Sequence, residues 1–170
     1  MTKDIRLILA NLQNAPNHFR KENIWLGGTI DEEHNWDCPS NWSLNRVPNE
    51  EDSVILLGHP KVSNFSPFIG SFVPKIFHLI LVNQSELHIN SAGKLQIHGN
   101  RVEDNAIYLN NSRLVNEGII HLENPGQKGI EMIDAFLINK GTIQSSSSEA
   151  DLILANNLSI YQNEGKFEVL

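Results

Sequence analysis

From Phe77 onward, apolar and polar residues alternate in short runs that repeat every eight positions. Phe77-His-Leu-Ile-Leu-Val-Asn-Gln is followed by Ser85-Glu-Leu-His-Ile-Asn-Ser-Ala and by Gly93-Lys-Leu-Gln-Ile-His-Gly-Asn. Leu79, Leu87 and Leu95 thus share one place in the unit, and Leu81, Ile89 and Ile97 share another. A period of two inside each unit belongs to a strand with one buried face, and the residues between units are turn formers. A longer period lies over this one. Asn116-Glu-Gly118, Asn139-Lys-Gly141 and Asn163-Glu-Gly165 recur at 23 and 24 residues, and Gly93 stands 25 residues before Gly118. Three short strands per repeat make one coil, whose edges only another coil can satisfy. The predicted fold class is therefore all-β: a right-handed parallel β-solenoid (β-helix) with coils of about 23–25 residues.

The repeat also predicts which side chains point inward. Leu95, Ile120, Ile143 and Phe167 form one column, and Ile97, Leu122, Ser145 and Val169 the next, with a loosening expected at Ser145–Ser148. Ile107-Tyr-Leu109 aligns with Ile130-Glu-Met132 and roughly with Leu152-Ile-Leu154. Asn116, Asn139 and Asn163 fall at one bend, where stacked amides can bond one another from coil to coil. Gly93, Gly118, Gly141 and Gly165 follow in the same corner and are expected to supply a backbone geometry that other residues resist. Val115, Ile119, Phe136 and Ile138 take outward positions and would form an exterior apolar stripe, a place for the N-terminal segment or for a partner.

Three regions follow: a leader at 1–23, a Trp-rich cap with the first strands at 24–76, and coils at 77–170. In the leader, Ile5, Ile8, Leu9 and Leu12 have helical spacing and Pro16 would stop a helix near Asn14, so it reads as a short amphipathic helix or an irregular segment. It shows no signal-peptide pattern, having too short an apolar run and no small-residue cleavage site. The chain ends at Leu170 directly after a strand, so a fragment of a longer β-helix, or an end covered by another molecule, is expected.

Composition narrows the function. A net charge of −7, with basic residues scattered, argues against nucleic acid and anionic membranes as partners. No apolar run approaches the length of a transmembrane segment. The single Cys38 excludes an internal disulfide framework and reads as a packing residue or a lone thiol. Asn makes up 21 of 170 residues, which fits a chain of many corners.

Residues 24–58 differ in texture, with three Trp and no repeat. Trp25-x-Gly27-Gly28, Trp36-Asp37, Asn41-Trp42-Ser43, Val47-Pro48 and Asp52-x-Val54 together resemble the N-terminal cap motif of bacterial, Bacteroidetes-type, secreted or surface β-helix proteins. Val47-Pro48 and Asp52-x-Val54 are more loosely similar to the G8 domain of animal surface proteins. The resemblance implies an extracellular or cell-surface location and an adhesin-like role.

Several constellations are candidate sites. Asp31, Glu32, Glu33, His34 and Asp37 read as a calcium site or as a solvated acidic loop. Trp25, Trp36 and Trp42 read as a platform for sugar rings or as a buried cap over the first coil. His78, His88, His98 and His121 take outward positions without evident convergence. Asn41, Asn64, Asn83, Asn110 and Asn157 are formal glycosylation acceptors. No catalytic, metal-binding or cofactor-binding set is expected: the outward column Gln96, His121, Gln144 and Glu168 holds one carboxylate, and no nucleophile elbow or phosphate loop occurs. A carbohydrate-active domain would need converging carboxylates, for which Glu103, Glu131 and Asp134 with Arg101 or Arg113 are the candidates. The expected function is a non-enzymatic surface or adhesin-type module, with a carbohydrate-binding or polysaccharide-active domain as the alternative. Its partners would be a polysaccharide or cell-surface ligand, and further β-helix coils at the C-terminal end.

Overall fold

The computed structural model describes residues 21–58, 65–99, 105–125, 129–146 and 152–170. The leader ahead of Lys21 lies outside them, as do Asn64, Arg101, Glu103 and Ser147–Ser148. Alternating short runs of β-formers separated by Asn, Gly and Ser give short strands rather than helices. In order these are β1 (Lys21–Ile24), β2 (Asp52–Leu57), β3 (Phe68–Ile69), β4 (His78–Val82) and β5 (Glu86–Ile89). There follow β6 (Lys94–His98), β7 (Ile107–Asn110), β8 (Arg113–Asn116), β9 (Ile119–Glu123) and β10 (Ile130–Ile133). The last are β11 (Phe136–Asn139), β12 (Thr142–Ser145), β13 (Ile153–Asn156), β14 (Ile160–Asn163) and β15 (Lys166–Val169). Every strand pairing is parallel, so successive coils climb in register.

Three sheets wrap the core. The six-stranded sheet runs β1-β2-β4-β7-β10-β13, the five-stranded sheet β14-β11-β8-β5-β3, and the four-stranded sheet β15-β12-β9-β6. The protein is thus a parallel β-solenoid of about four turns. Coil stacking reaches back beyond residue 77: β2 pairs with β4, β3 with β5, and Phe72 and Ile76 bridge to Lys94 and Ile97. The strands β2 and β3 and the bridges at Phe72 and Ile76 therefore already belong to a coil.

The inward columns pack as the periodicity predicts except in the last coil, where Val169 is 62% exposed. Leu79, Leu87, Leu95, Leu81, Ile89 and Ile97 are buried in one continuous core with Ile107, Leu109, Leu114, Ile120, Leu122, Ile130, Met132, Leu137 and Ile143. Ser145 holds its place: it is buried in β12, and its carbonyl accepts from the Leu170 amide at 2.8 Å. One alignment shifts by a residue. Ile130 lies opposite Ile153, so β13 turns Ile153 and Ala155 inward, and Leu152 is buried just ahead of the strand.

The corners differ in construction. Between the five- and four-stranded sheets, Asn116 Nδ2 donates to Asn139 Oδ1 at 2.7 Å, and Asn139 Nδ2 donates to Asn163 Oδ1 at 2.8 Å. The same two amides also donate across the bend, to the carbonyls of Thr142 and Lys166, both at 3.2 Å. The glycines that follow are needed for space. None of Gly93, Gly118, Gly141 and Gly165 has a positive φ, yet a Cβ on Gly141 would stand 2.1 Å from the Gly118 carbonyl oxygen, and one on Gly165 2.1 Å from that of Gly141. Close approach of successive backbones, not a left-handed conformation, excludes a side chain here.

The corner between the six- and five-stranded sheets uses Asn differently. Asn83, Asn111, Asp134 and Asn157 occupy equivalent bends with φ of 54°, 45°, 50° and 56°. This left-handed region is one that Asn and Asp tolerate better than other residues carrying a Cβ. The third corner, leading from the four-stranded sheet back to the six-stranded one, is longer and less uniform. Leu79 and Ile107 pair across 28 residues, whereas Ile107 and Ile130, and Ile130 and Ile153, pair across 23.

At the N-terminal side, Asp52 is fully buried and anchors the entry to β2. Arg46 donates to both its carboxylate oxygens, at 2.6 and 2.7 Å, and the Asn49 amide adds a third bond at 2.9 Å. The hydrogen bond to Asp52 raises the already high pKa of Arg46. A buried carboxylate survives only with such partners.

Two stability outcomes follow. Gly141→Ala should cost about 3 kcal/mol or more, because the obstructing atoms are backbone, whereas Gly70→Ala, which meets the ring of exposed Phe68 first, should cost under about 1 kcal/mol; denaturant midpoints at unchanged slope compare them. Asn139→Leu removes the middle of the amide ladder and should cost about 2 kcal/mol or more, because the buried Asn116 loses its Asn139 acceptor. The same change at exposed Asn163 should cost less than half of that, by the same titration.

Candidate functional site

The three tryptophans close the solenoid from inside. Trp25 and Trp42 form an antiparallel bridge, and their rings meet edge-on at 5.0 Å, as do those of Trp36 and Trp42 at 4.7 Å. Trp25 Nε1 donates to the Phe65 carbonyl at 2.6 Å and Trp42 Nε1 to that of Trp36 at 2.8 Å. All three are at most 1% exposed and belong to the main core. Their faces are spent on one another and on the first coil, which is the arrangement of a buried cap.

Asn41 shapes the loop over this cap. Its Nδ2 donates to the Glu32 and Asn35 carbonyls at 2.6 and 3.0 Å, and its Oδ1 accepts from the Thr29 amide at 3.0 Å. Fully buried, it offers no accessible amide for glycosylation. Cys38 is a free, half-buried thiol ahead of the short 3-10 turn Pro39–Asn41.

Asp31, Glu32, Glu33, His34 and Asp37 line one open hollow with Phe68, Gly70 and Ser71. Much of the cluster's bonding is within the protein. Glu32 accepts from Asn35 Nδ2 at 2.5 Å, Asp37 from Ser71 Oγ at 3.1 Å, and Glu33 from the Asp31 amide at 3.3 Å, while His34 Nδ1 meets the Ser66 carbonyl at 2.7 Å. Among the described residues no three His, Cys, Asp or Glu side chains gather as a metal site requires.

The histidines scatter over three sheets. His78 faces outward on β4 yet is buried beside Phe77, with ring centroids 4.2 Å apart. His88, on β5, approaches Glu117 at 3.2 Å and the Phe68 ring at 6.0 Å. His98, on β6, lies 3.2 Å from Glu123, which also accepts from Lys75 Nζ at 2.8 Å. The Lys75 ammonium, then His98, hold the Glu123 carboxyl below the usual carboxylate range. His121 stands opposite Gln96 in the neighbouring strand.

Part of the exposed apolar surface lies on the outer face of the five-stranded sheet, where Phe68, Phe136 and Ile160 are exposed and Val115 is buried. One row across it reads Phe68, His88, Val115, Ile138 and Gln162; a second reads Glu86, Arg113, Phe136 and Ile160. Val115, Phe136 and Ile138 from the predicted stripe are thus neighbours, while Ile119 sits on β9 in the four-stranded sheet. Phe68, Phe136 and Ile160 are 40–50% exposed. Beside them, Glu86, Arg113, Asp134 and Phe136 line a shallow hollow with Gln84 and Asn111. Arg113 pairs with Glu86 at 3.1 Å, and Asp134 accepts from the Leu158 amide at 3.3 Å. Glu131 does not line this hollow: it lies on β10 in the six-stranded sheet and accepts from Asn105 at 2.6 Å. The sequence missed Glu86 and Ile160 as members of this surface. Their signal was the register of β5 with β8 and of β11 with β14, legible only once each coil is aligned strand by strand.

No protein-family model matches the chain, and no solved structure matches it. It is similar to the minor fimbrium subunit Mfa5 of Porphyromonas gingivalis, 31% identical over 124 residues that cover 66% of this chain. The alignment takes in 10% of that protein, so the chain spans about a tenth of the length of the curated relative it matches. Similarity to a fimbrial subunit, on a parallel β-solenoid, supports a bacterial surface protein.

Proposed function

We propose that this chain is a non-enzymatic β-helix module of surface or adhesin type, or a fragment of a longer β-helix protein, presenting a rigid sheet surface, the outer face of its five-stranded sheet, to a ligand. The observation that carries the reading is the join of two facts: a rigid parallel solenoid and similarity to a fimbrial subunit. The Trp-rich segment, with its buried Asn41 and Asp52, fits the cap of the Bacteroidetes-type surface β-helix proteins it resembles. The exposed row of Phe136 and Ile160 beside Arg113 and Glu86 supplies apolar area with polar edges, the composition of a recognition surface.

A carbohydrate ligand is the second reading. It is favoured by the hollow in which Phe136 lies beside Glu86, Arg113, Asp134, Gln84 and Asn111, an aromatic face ringed by hydrogen-bonding groups.

Labelling of intact source cells with an antibody to the solenoid should stain the surface; retention of the protein inside the cell would sink the proposal. Phe136→Asp with Ile160→Asp should weaken binding to polysaccharide or host-surface panels at least tenfold with an unchanged thermal midpoint. Release of reducing ends from a polysaccharide by the wild-type chain would instead establish an enzyme.

A further inference from the structure

The corner between the six- and five-stranded sheets is not uniform along the cylinder. Three residues join β4 to β5 and β13 to β14, whereas two join β7 to β8 and β10 to β11. The added residues are Gln84 and Leu158, both exposed. Gln84 follows Asn83 in the left-handed region, with φ of 66°. The middle coils, turning at Asn111 and Asp134, are therefore a residue shorter than those on either side. The hollow beside Phe136 lies over this short stretch, with Gln84 at one end. A serine closes the corner in three of the four coils. Ser112 Oγ donates to the Leu81 carbonyl at 3.1 Å, and Ser159 Oγ accepts from the Ala135 amide at 3.2 Å. Ser85 differs from both. It is 8% exposed and lines the hollow, and its Oγ has no hydrogen-bond partner among the described residues. A buried hydroxyl left unsatisfied is costly, and a ligand seated in the hollow would relieve it.

The other groups around the hollow suit a ligand of many hydroxyls. Glu86 spends Oε1 on Arg113 at 3.1 Å and Asp134 spends Oδ1 on the Leu158 amide at 3.3 Å. Each carboxylate thus keeps a second oxygen for another donor. The exposed amides of Gln84 and Asn111 can donate and accept. Phe136, 44% exposed, supplies one flat apolar face among them. Two carboxylates stand against one guanidinium, so the hollow is negative, on a chain whose net charge is −7. An anionic ligand would be repelled here. At about 190 Å³ the hollow is smaller than the ~300 Å³ and upward of drug-sized ligand pockets, which limits it to one small ring.

We infer that this hollow takes a single neutral pyranose ring of a polysaccharide, an inference that rests on the carbohydrate reading of the same face. The apolar face of the ring stacks on Phe136. Its hydroxyls donate to Asp134 and Glu86, and they accept from Ser85 Oγ and from the amide of Gln84 or Asn111. Charge-assisted hydrogen bonds to the carboxylates supply strength, and the negative hollow selects against uronic, sulfated and sialylated sugars. The longer bend at Gln84 then serves recognition, since it carries an amide to the end of the hollow that the shorter bends at Asn111 and Asp134 leave open.

Surface plasmon resonance of the full chain over immobilised polysaccharides tests this. The neutral polymers are mannan, galactan, β-glucan and xylan; the anionic ones are polygalacturonate and heparin. At least one neutral polymer should bind, and the anionic ones should bind at least about tenfold more weakly. Phe136→Leu keeps apolar area but loses the flat face, and should weaken neutral binding about tenfold, whereas Phe136→Trp should leave it within about threefold. Asp134→Asn should weaken it about fivefold. Asn already holds the equivalent bends at Asn111 and Asn157, so the corner survives that change. If either variant loses the wild-type thermal midpoint, Gln84→Ala on the exposed bend replaces it, with about a threefold loss expected. Neutral binding that these folded variants leave within about twofold would place the sugar elsewhere, overturning the inference while the carbohydrate reading stands. Binding confined to the anionic polymers would do the same. Binding to none of the six by the folded chain would remove the carbohydrate reading and the inference together.

Discussion

Everything in this fold depends on how closely one turn of backbone can lie on the next. In a parallel solenoid the hydrogen-bonding groups of each strand are satisfied by the coils above and below, so the spacing between coils is fixed by the strand ladder. The column through Gly93, Gly118, Gly141 and Gly165 is where that spacing leaves least room, with a carbonyl oxygen standing where a Cβ would go. Core columns, corner amides and outer faces all inherit their register from this contact.

Asn serves the structure in two ways that composition alone cannot separate. At one corner it is a hydrogen-bonding side chain, pointing inward and linked from coil to coil through Asn116, Asn139 and Asn163. At another it is a backbone residue, chosen because Asn83, Asn111 and Asn157 must turn through the left-handed region. The first use is legible from the Asn-x-Gly repeat. The second was equally periodic, but Asp134 stands in the column and the 28-residue step before Asn111 breaks the rhythm.

The inward columns were readable because a strand with one buried face alternates, and alternation survives in a single sequence. The six-stranded sheet was harder. Val54-Ile-Leu-Leu57 and Leu79-Ile-Leu-Val82 are unbroken apolar runs, the mark of strands buried on both faces, and a run has no parity to assign. The stripe through Val115 and Phe136, by contrast, is visible against polar neighbours. The tryptophans illustrate a different limit. Their side chains suit a sugar platform and a core equally, and only the edge-on packing of Trp25, Trp36 and Trp42 decides between them. Glu86, Arg113 and Asp134 meet because three coils stack, a relation no local window contains.

The unequal corners have an evolutionary consequence. Two of them are two to four residues long and crowded against their neighbours, whereas six to eight residues separate β6 from β7, β9 from β10 and β12 from β13. At the tight corners the connections of successive coils differ by at most two residues, and the third has the longest connections; of the five extra residues in the step from Leu79 to Ile107, two fall at the third corner and three at the other two. Descendants of this chain therefore have most room to diversify along a single longitudinal seam, and foreign loops grafted for display belong on that seam.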